Sequence, residues 1–338
     1  MPNILLHTCP LDIHSGGICV IYLFFDLCKK NGINIYLCPL LCNIDSLNWR
    51  TPFHNKRLEE IRQEEVNNYF RGTPREYIVS VETLRARDNV ILYAEDIIGN
   101  PAEQKYVVRW LLFFPIPQAV QSYSFEKDYI CFFSDYIFNL YDNLCKNLSI
   151  ENHLTNKINK PNILRIFNFK NNFFKDKNYK REGGVFMNRK GYPPYTFRKT
   201  FPSDSYDQQI MTTNKNISDM GYYELKNHGL THEEMIEVFN SKETFVSVDP
   251  FTFTFVIASL CGCNSVVNKI PNLSYDEWKN SDPLLYKYGI AYGIENIEEA
   301  SKTRHLLEEH IHSMFLENES NLMNFIKDIE LFFNIQVK

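Results

Sequence analysis

Short, nearly unbroken apolar runs alternate along the chain with segments whose apolar residues recur at helical spacing, and Gly, Pro, Asn or Asp marks most of the switches. Asn3–Thr8 reads as a buried strand. Gly16–Lys30 reads as a helix that is apolar on almost every side and is stopped by Gly32, and Ile33–Cys38 as a second strand. Together they form a βαβ unit of the doubly wound kind. A helix is predicted near Lys56–Tyr69, and NVILY (Asn89–Tyr93) is the next strand. Asn100 as N-cap with Pro101 at the first helical position then predicts a helix to about Leu112. Tyr129–Phe133 and Asn162–Phe167 read as strands, with a helix over Ser134–Leu144 between them. The polar, basic stretch Lys170–Glu182 has no apolar period and reads as a linker. Alternation then resumes with strands at Gly184–Asn188 and Met220–Glu224 and a helix capped by Thr231. The run LLYKYGIAYG (Leu284–Gly293) is followed by an acid-started helix over Ile297–Ser313, and an amphipathic helix over Leu322–Phe333 completes the chain.

The stretch Glu243–Val267 organises this second series. Thr244–Val248 is a β-favouring run, Asp249-Pro250 combines an N-cap residue with proline at the first helical position, and Gly262 stands where a C-cap glycine belongs. Val266 and Val267 begin the next strand. A helix starting directly after a strand turns its free N–H groups toward the carboxyl edge of the sheet, where anions bind. The expected anion is the diphosphate of a sugar nucleotide.

A length of 338 residues exceeds the usual single core. The expected division is 1–175 and 176–319, with the C-terminal helix, 320–338, able to pack back on the first domain. The formal charge of −5 argues against a nucleic-acid binder that works by neutralising phosphates. Nine cysteines without paired CxxC spacing indicate reduced thiols in a cytoplasmic protein, and no metal site is expected. No signal peptide and no transmembrane segment is expected. WLLFFPIP (Trp110–Pro117) reads as core, with a patch for a lipid-linked acceptor or peripheral membrane contact as the second reading.

Three groups of residues are candidates for chemistry. Glu95 and Asp96 leave a buried strand where open α/β sheets place their working residues; either one of them contacts an acceptor or deprotonates its hydroxyl, or both are solvated loop acids. Gly16-Gly17 either admits a substrate or permits tight packing of helix on strand. Arg189-Lys190, leaving the strand Gly184–Asn188, either clamps a diphosphate or lies in a solvated loop.

In order and spacing, SGG after the first strand, YAEDIIGNPAEQKYVVRWLL, GGVFMNRKG, VSVDPFTFTFVIASLCGCNSVV and YGIAYGIENIEEA resemble glycosyltransferases of the GT-B fold, in particular a divergent group linked to surface polysaccharide or viral glycan assembly. The resemblance implies an α/β chain with two Rossmann-like domains facing a cleft, the acceptor held by the N-terminal domain and the nucleotide-sugar donor, UDP-, GDP- or other, by the C-terminal one. It implies transfer to a glycan or lipid-linked acceptor without a metal or cofactor. Asp249 takes the place of an acid that contacts the donor ribose, although Asp stands where Glu is commoner and the following glycine is absent. Phe251, Thr252, Phe253 and Thr254 would present N–H groups and hydroxyls to the diphosphate, with Arg189 and Lys190 as the basic pair. Glu95 ranks first as base, and Asp96, Asp12 and His14 lie in loops on the same side, as do Gly16 and Gly17 on the acceptor side. A GT-B-like binding subunit without catalysis and a sugar-nucleotide epimerase are the competing functions.

Overall fold

A computed structural model describes residues 2–12, 15–41, 51–54, 56–150, 161–167, 174–187, 215–225, 231–269, 273–282 and 284–337. The chain is mixed α/β and divides into two compact units, 1–168 with 316–338, and 169–315. Each unit contains a parallel five-stranded sheet.

The first unit runs β1 (Ile4–Thr8), α1 (Gly16–Lys30), β2 (Ile35–Pro39), α2 (Gln63–Tyr69), α3 (Val81–Ala86), β3 (Val90–Tyr93), β4 (Tyr106–Leu111), α4 (Pro117–Gln121), β5 (Tyr129–Phe132) and α5 (Asp135–Asn147). Its strand order is β2-β1-β3-β4-β5. Single parallel bridges extend it, Ile78 to Leu37 on one side and Ile163 to Phe132 on the other. Counted in chain order with those bridges, the sheet reads 3-2-1-4-5-6-7, which contains the dinucleotide-fold order. All five residues of β1 and all four of β3 are buried, as expected of strands covered on both faces.

The segment 101–112 departs from the helix that Asn100-Pro101 predicts. Pro101 and Ala102 make only a turn, and Tyr106–Leu111 is β4, paired with β3 and β5. Asn100 Oδ1 does not cap a helix; it accepts from the Tyr93 hydroxyl at 2.8 Å. The run Tyr-Val-Val-Arg-Trp-Leu is β-branched and aromatic, and pairing on both sides outweighs a local cap signal. The strand expected over Asn162–Phe167 is reduced to the Ile163 bridge.

One core cluster joins β1–β4 and α1 to the last helix, numbered α11 below (Asn318–Phe333), where Phe24 lies 5.2 Å from Trp110 and 5.8 Å from Phe325. A second cluster packs α5 on β5 through Phe132 and Tyr141, 5.2 Å apart. Asn318 ties the final helix to the segment after β5, accepting from Phe167 N–H at 2.8 Å and donating to its carbonyl at 2.9 Å.

The second unit runs β6 (Gly184–Met187), β7 (Tyr223–Glu224), α6 (His232–Ser241), β8 (Thr244–Ser247), α7 (Thr254–Leu260), β9 (Asn264–Val267), α8 (Tyr275–Ser281), β10 (Ile290–Tyr292), α9 (Ile297–Thr303) and α10 (Leu307–Leu316). Its order, β10-β9-β8-β6-β7, is the strand order of the first sheet again. The single helix expected over Ile297–Ser313 is broken by a 3-10 turn at Arg304–Leu306.

Gly262 closes α7 as its glycine predicts. Its φ is +86°, its N–H reaches Ser259 O at 2.9 Å, and Cys263 N–H reaches Ala258 O at 3.0 Å, the paired bonds of a Schellman cap. Arg181 lies over this cap and donates to Cys261 O at 2.7 Å, to Phe239 O at 2.7 Å and to Asp176 at 2.6 Å. This binds the ends of α6 and α7 together, so Arg181, in the expected linker, is part of the second unit's frame. A Cβ at Gly262 would lie 2.2 Å from Asp176 Oδ2 and 2.4 Å from Arg181 Nη2. Gly262→Ala should therefore lower stability by about 1–3 kcal/mol, from left-handed strain and displacement of the ion pair. An unchanged urea midpoint would contradict this.

Candidate functional site

In an open parallel sheet, ligands bind outside the carboxyl ends of adjacent strands whose connections leave in opposite directions. In the first sheet those strands are β1 and β3, because the chain passes from β1 to β2 on one side and from β3 to β4 on the other. Their exits are the segment from Cys9 to Asp12 and the turn 94–100.

Ser15 is the N-cap of α1, its Oγ accepting from Ile18 N–H at 3.4 Å. Gly16 and Gly17 form the exposed first turn, and a Cβ at either would meet no atom within 4 Å. They do not serve tight packing of helix on strand. Asp12 closes the loop through its carbonyl, which accepts from Ser15 N–H at 3.1 Å. His14 lies outside the described residues. Burial raises the Cys9 thiol above its ordinary range, and the charges of Asp12 and Asp96 add to the rise. These two acids therefore act on the same space.

Glu95 is half-buried, and its Oε2 accepts from Leu112 N–H at 3.1 Å. Burial first, and the Asp96 charge second, push its carboxyl up to about 7, against the opposing effect of the Leu112 and Phe113 amides. A carboxyl in that range exchanges its proton near neutral pH.

The turn that carries Glu95 is built around Arg109, a residue the predicted helix would have left on a polar face. In β4 it is buried at 1% exposure, with Nε donating to Asp128 Oδ2 at 2.9 Å. Its other nitrogens donate to Ile97 O at 3.3 Å and Gly99 O at 2.6 Å. The guanidinium lies between Tyr93 and Tyr123, 4.9 and 4.6 Å from their ring centres. The Tyr123 hydroxyl donates to Glu95 O at 3.2 Å. One side chain thus determines the path of the turn from Glu95 to Gly99. Sequence reasoning missed Arg109, Asp128, Tyr93 and Tyr123; the available signal was a lone cation inside an apolar, β-branched run.

His7, near the end of β1, was also missed. Its Nε2 accepts from Leu41 N–H at 2.7 Å, which assigns the proton to Nδ1, and Nδ1 has no partner among the described residues. Burial, with the Arg109 charge nearby, lowers it to about 3, so the ring is neutral. Its ring meets Tyr93 edge-on at 4.9 Å.

In the second sheet the corresponding strands are β6 and β8. Arg189 and Lys190, beyond β6, lie outside the described residues. Beyond β8, the helix does not begin at Asp249-Pro250. Asp249 Oδ1 accepts from Phe251 N–H at 3.0 Å and makes a turn, and α7 starts four residues later than Pro250, at Thr254. Thr254 N–H is directed to Thr252 Oγ1 at 3.3 Å, and the two threonine hydroxyls lie 3.0 Å apart. Asp249 is therefore a turn residue and not the N-cap, and the amides of Phe251 and Thr254 already have acceptors within the turn. Phe253 stands at the N-cap position, where its side chain does not cap the helix. Beneath it, Trp278 Nε1 donates to Pro250 O at 3.0 Å, with its ring stacked on Tyr286 at 4.8 Å and Tyr292 at 5.2 Å. An indole unlike any element of the predicted motif thus holds the turn from below.

The fold and these two edges define a two-sheet, Rossmann-like α/β protein. No protein-family model matches the chain, and no curated protein shows significant similarity to it. Among the described residues no helix is long and apolar enough to cross a membrane.

Proposed function

We propose that the chain is a GT-B-type glycosyltransferase that moves a sugar from a nucleotide-sugar donor to a hydroxyl acceptor without a divalent metal. The observation that carries this is Glu95: a carboxyl near neutral pKa, held by a backbone amide at the crevice of the first sheet. The repeated strand order of the two sheets and the placement of the final helix in the first unit support it.

In this reaction the acceptor oxygen attacks the anomeric carbon while the bond from that carbon to the diphosphate oxygen breaks, and the leaving nucleoside diphosphate takes the electron pair. Glu95 takes the proton of the acceptor hydroxyl. Arg189 and Lys190 carry the charge that develops on the diphosphate, the role for which paired cations at a strand exit are suited.

Thermal unfolding in the presence of UDP, GDP, CMP and dTDP sugars tests the proposal. At about a hundred times Kd, a ligand that binds only the folded chain adds about 2.7 kcal/mol, so Tm should rise measurably with at least one donor. The rise should shrink in Arg189→Ala/Lys190→Ala. If none of the nucleotides stabilises the protein, it is not a transferase of this kind.

A further inference from the structure

Phe113 and Glu95 meet at one corner of the first sheet. Phe113 follows the end of β4 by two residues and is 47% exposed. The ring is nevertheless braced. It packs edge-on against Phe114 at 4.5 Å and 88°, and Phe114 is buried and packs edge-on against Tyr136 at 6.1 Å. The residue before it, Leu112, donates the N–H that holds Glu95 Oε2. An exposed aromatic face is thus attached to the same backbone that positions a carboxyl. Ile116, further along the same loop, and Leu11, in the loop after β1, are exposed apolar residues at the same edge of the sheet.

The surrounding charge narrows what this corner can take. Asp96 acts on Glu95, and Asp12 and Asp96 both act on Cys9, each in the direction expected of a negative field. An anionic ligand would be repelled. An acyl chain would cover the ring but would strip water from the carboxyl without replacing its hydrogen bonds, which is costly. The complementary ligand has an apolar face of C–H groups for the aromatic face and hydroxyl donors around its rim. A neutral sugar ring has both.

We propose that Phe113 is the stacking platform of a subsite for an uncharged pyranose, placed so that the same sugar presents a hydroxyl to Glu95. That this sugar is an acceptor rests on the glycosyltransferase proposal; that it binds against Phe113 does not.

Saturation-transfer NMR on the full chain tests this, with methyl glycosides of glucose, galactose, mannose and N-acetylglucosamine as probes. At least one should receive saturation on the C–H protons of one ring face. The signal should survive Phe113→Trp, and affinity should fall at least about tenfold in Phe113→Ala, as for other anchoring aromatics. Thermal melts of each variant establish that the fold is kept, which is expected at a half-exposed position. The platform is overturned if no probe receives saturation, if Phe113→Ala binds as the parent does, or if Phe113→Leu retains full affinity. It is also overturned if the sugars are silent while phosphatidylcholine/phosphatidylglycerol vesicles bind through Phe113, which would make the corner a membrane contact. Sugar binding that needs Phe113 in a chain that no nucleotide sugar stabilises keeps the platform and removes the transferase. Nucleotide stabilisation without any sugar signal does the reverse.

Discussion

Arg109→Met should destabilise the first unit by about 3–5 kcal/mol, the cost of leaving one member of a buried ion pair without its partner. Arg109 and Asp128 are 1% and 5% exposed at the side chain, so solvent does little to screen the charge left on Asp128. The carbonyls of Ile97 and Gly99 lose their donors as well, and the rings of Tyr93 and Tyr123 lose the cation between them. Urea unfolding followed by far-UV circular dichroism reads the loss. Asp128→Asn introduced beside Arg109→Met removes the stranded charge and should recover part of it; Arg109→Lys should recover less, because an ammonium does not reproduce the fork that spans two carbonyls and a carboxylate. A loss below about 1 kcal/mol would mean that the pair is solvated and does not hold the Glu95 turn.

Glu95→Gln should act in opposite directions on activity and stability. If Glu95 is the base, turnover should fall by about 10²–10⁴-fold, with donor affinity retained. The parent's rate should rise with pH through about 7 as the carboxyl ionises, and that limb should vanish in the variant. Stability follows from the same shift. The folded chain keeps a proton on Glu95 up to about 7, whereas an unperturbed glutamate loses its proton near 4.5. The folded state's advantage from the protonated form is complete below the lower value and is lost as pH rises through the upper one. Above it the folded protein holds a half-buried carboxylate that glutamine replaces without charge. Glu95→Gln should thus be more stable than the parent at about pH 8, by up to about 3 kcal/mol, with the difference vanishing near pH 4. Equal stability at the two pH values would place Glu95 among ordinary solvated acids, whatever the activity.

Much of the first forty residues was legible. Gly16–Lys30 is a helix with the bounds its pattern predicts, because the apolar run and the stopping Gly32 are both local in sequence. Thr231 and Gly262 cap their helices for the same reason. The segment 101–112 was misread because Asn100-Pro101 imitates a helix start, whereas the pairing of Tyr106–Leu111 with β3 and β5 is a contact between strands distant along the chain. That error concealed Arg109: on a helix it would face water, and in β4 it is the buried centre of the turn that carries Glu95. Asp249-Pro250 misled in the same way, since its carboxylate binds Phe251 N–H in a turn and the helix waits until Thr254.

Outside 101–112 and 162–167 the sequence by itself determined most of the strands and helices, the caps at Thr231 and Gly262 and the acids that leave β3, because each depends on residues within a turn or two of one another. Only the tertiary structure decided the strand order that brings the exits of β1 and β3 side by side, the burial that raises Glu95, and the buried pair that braces its turn. Those depend on pairing and desolvation between segments far apart in the chain, and no local pattern encodes how much water a carboxyl will lose.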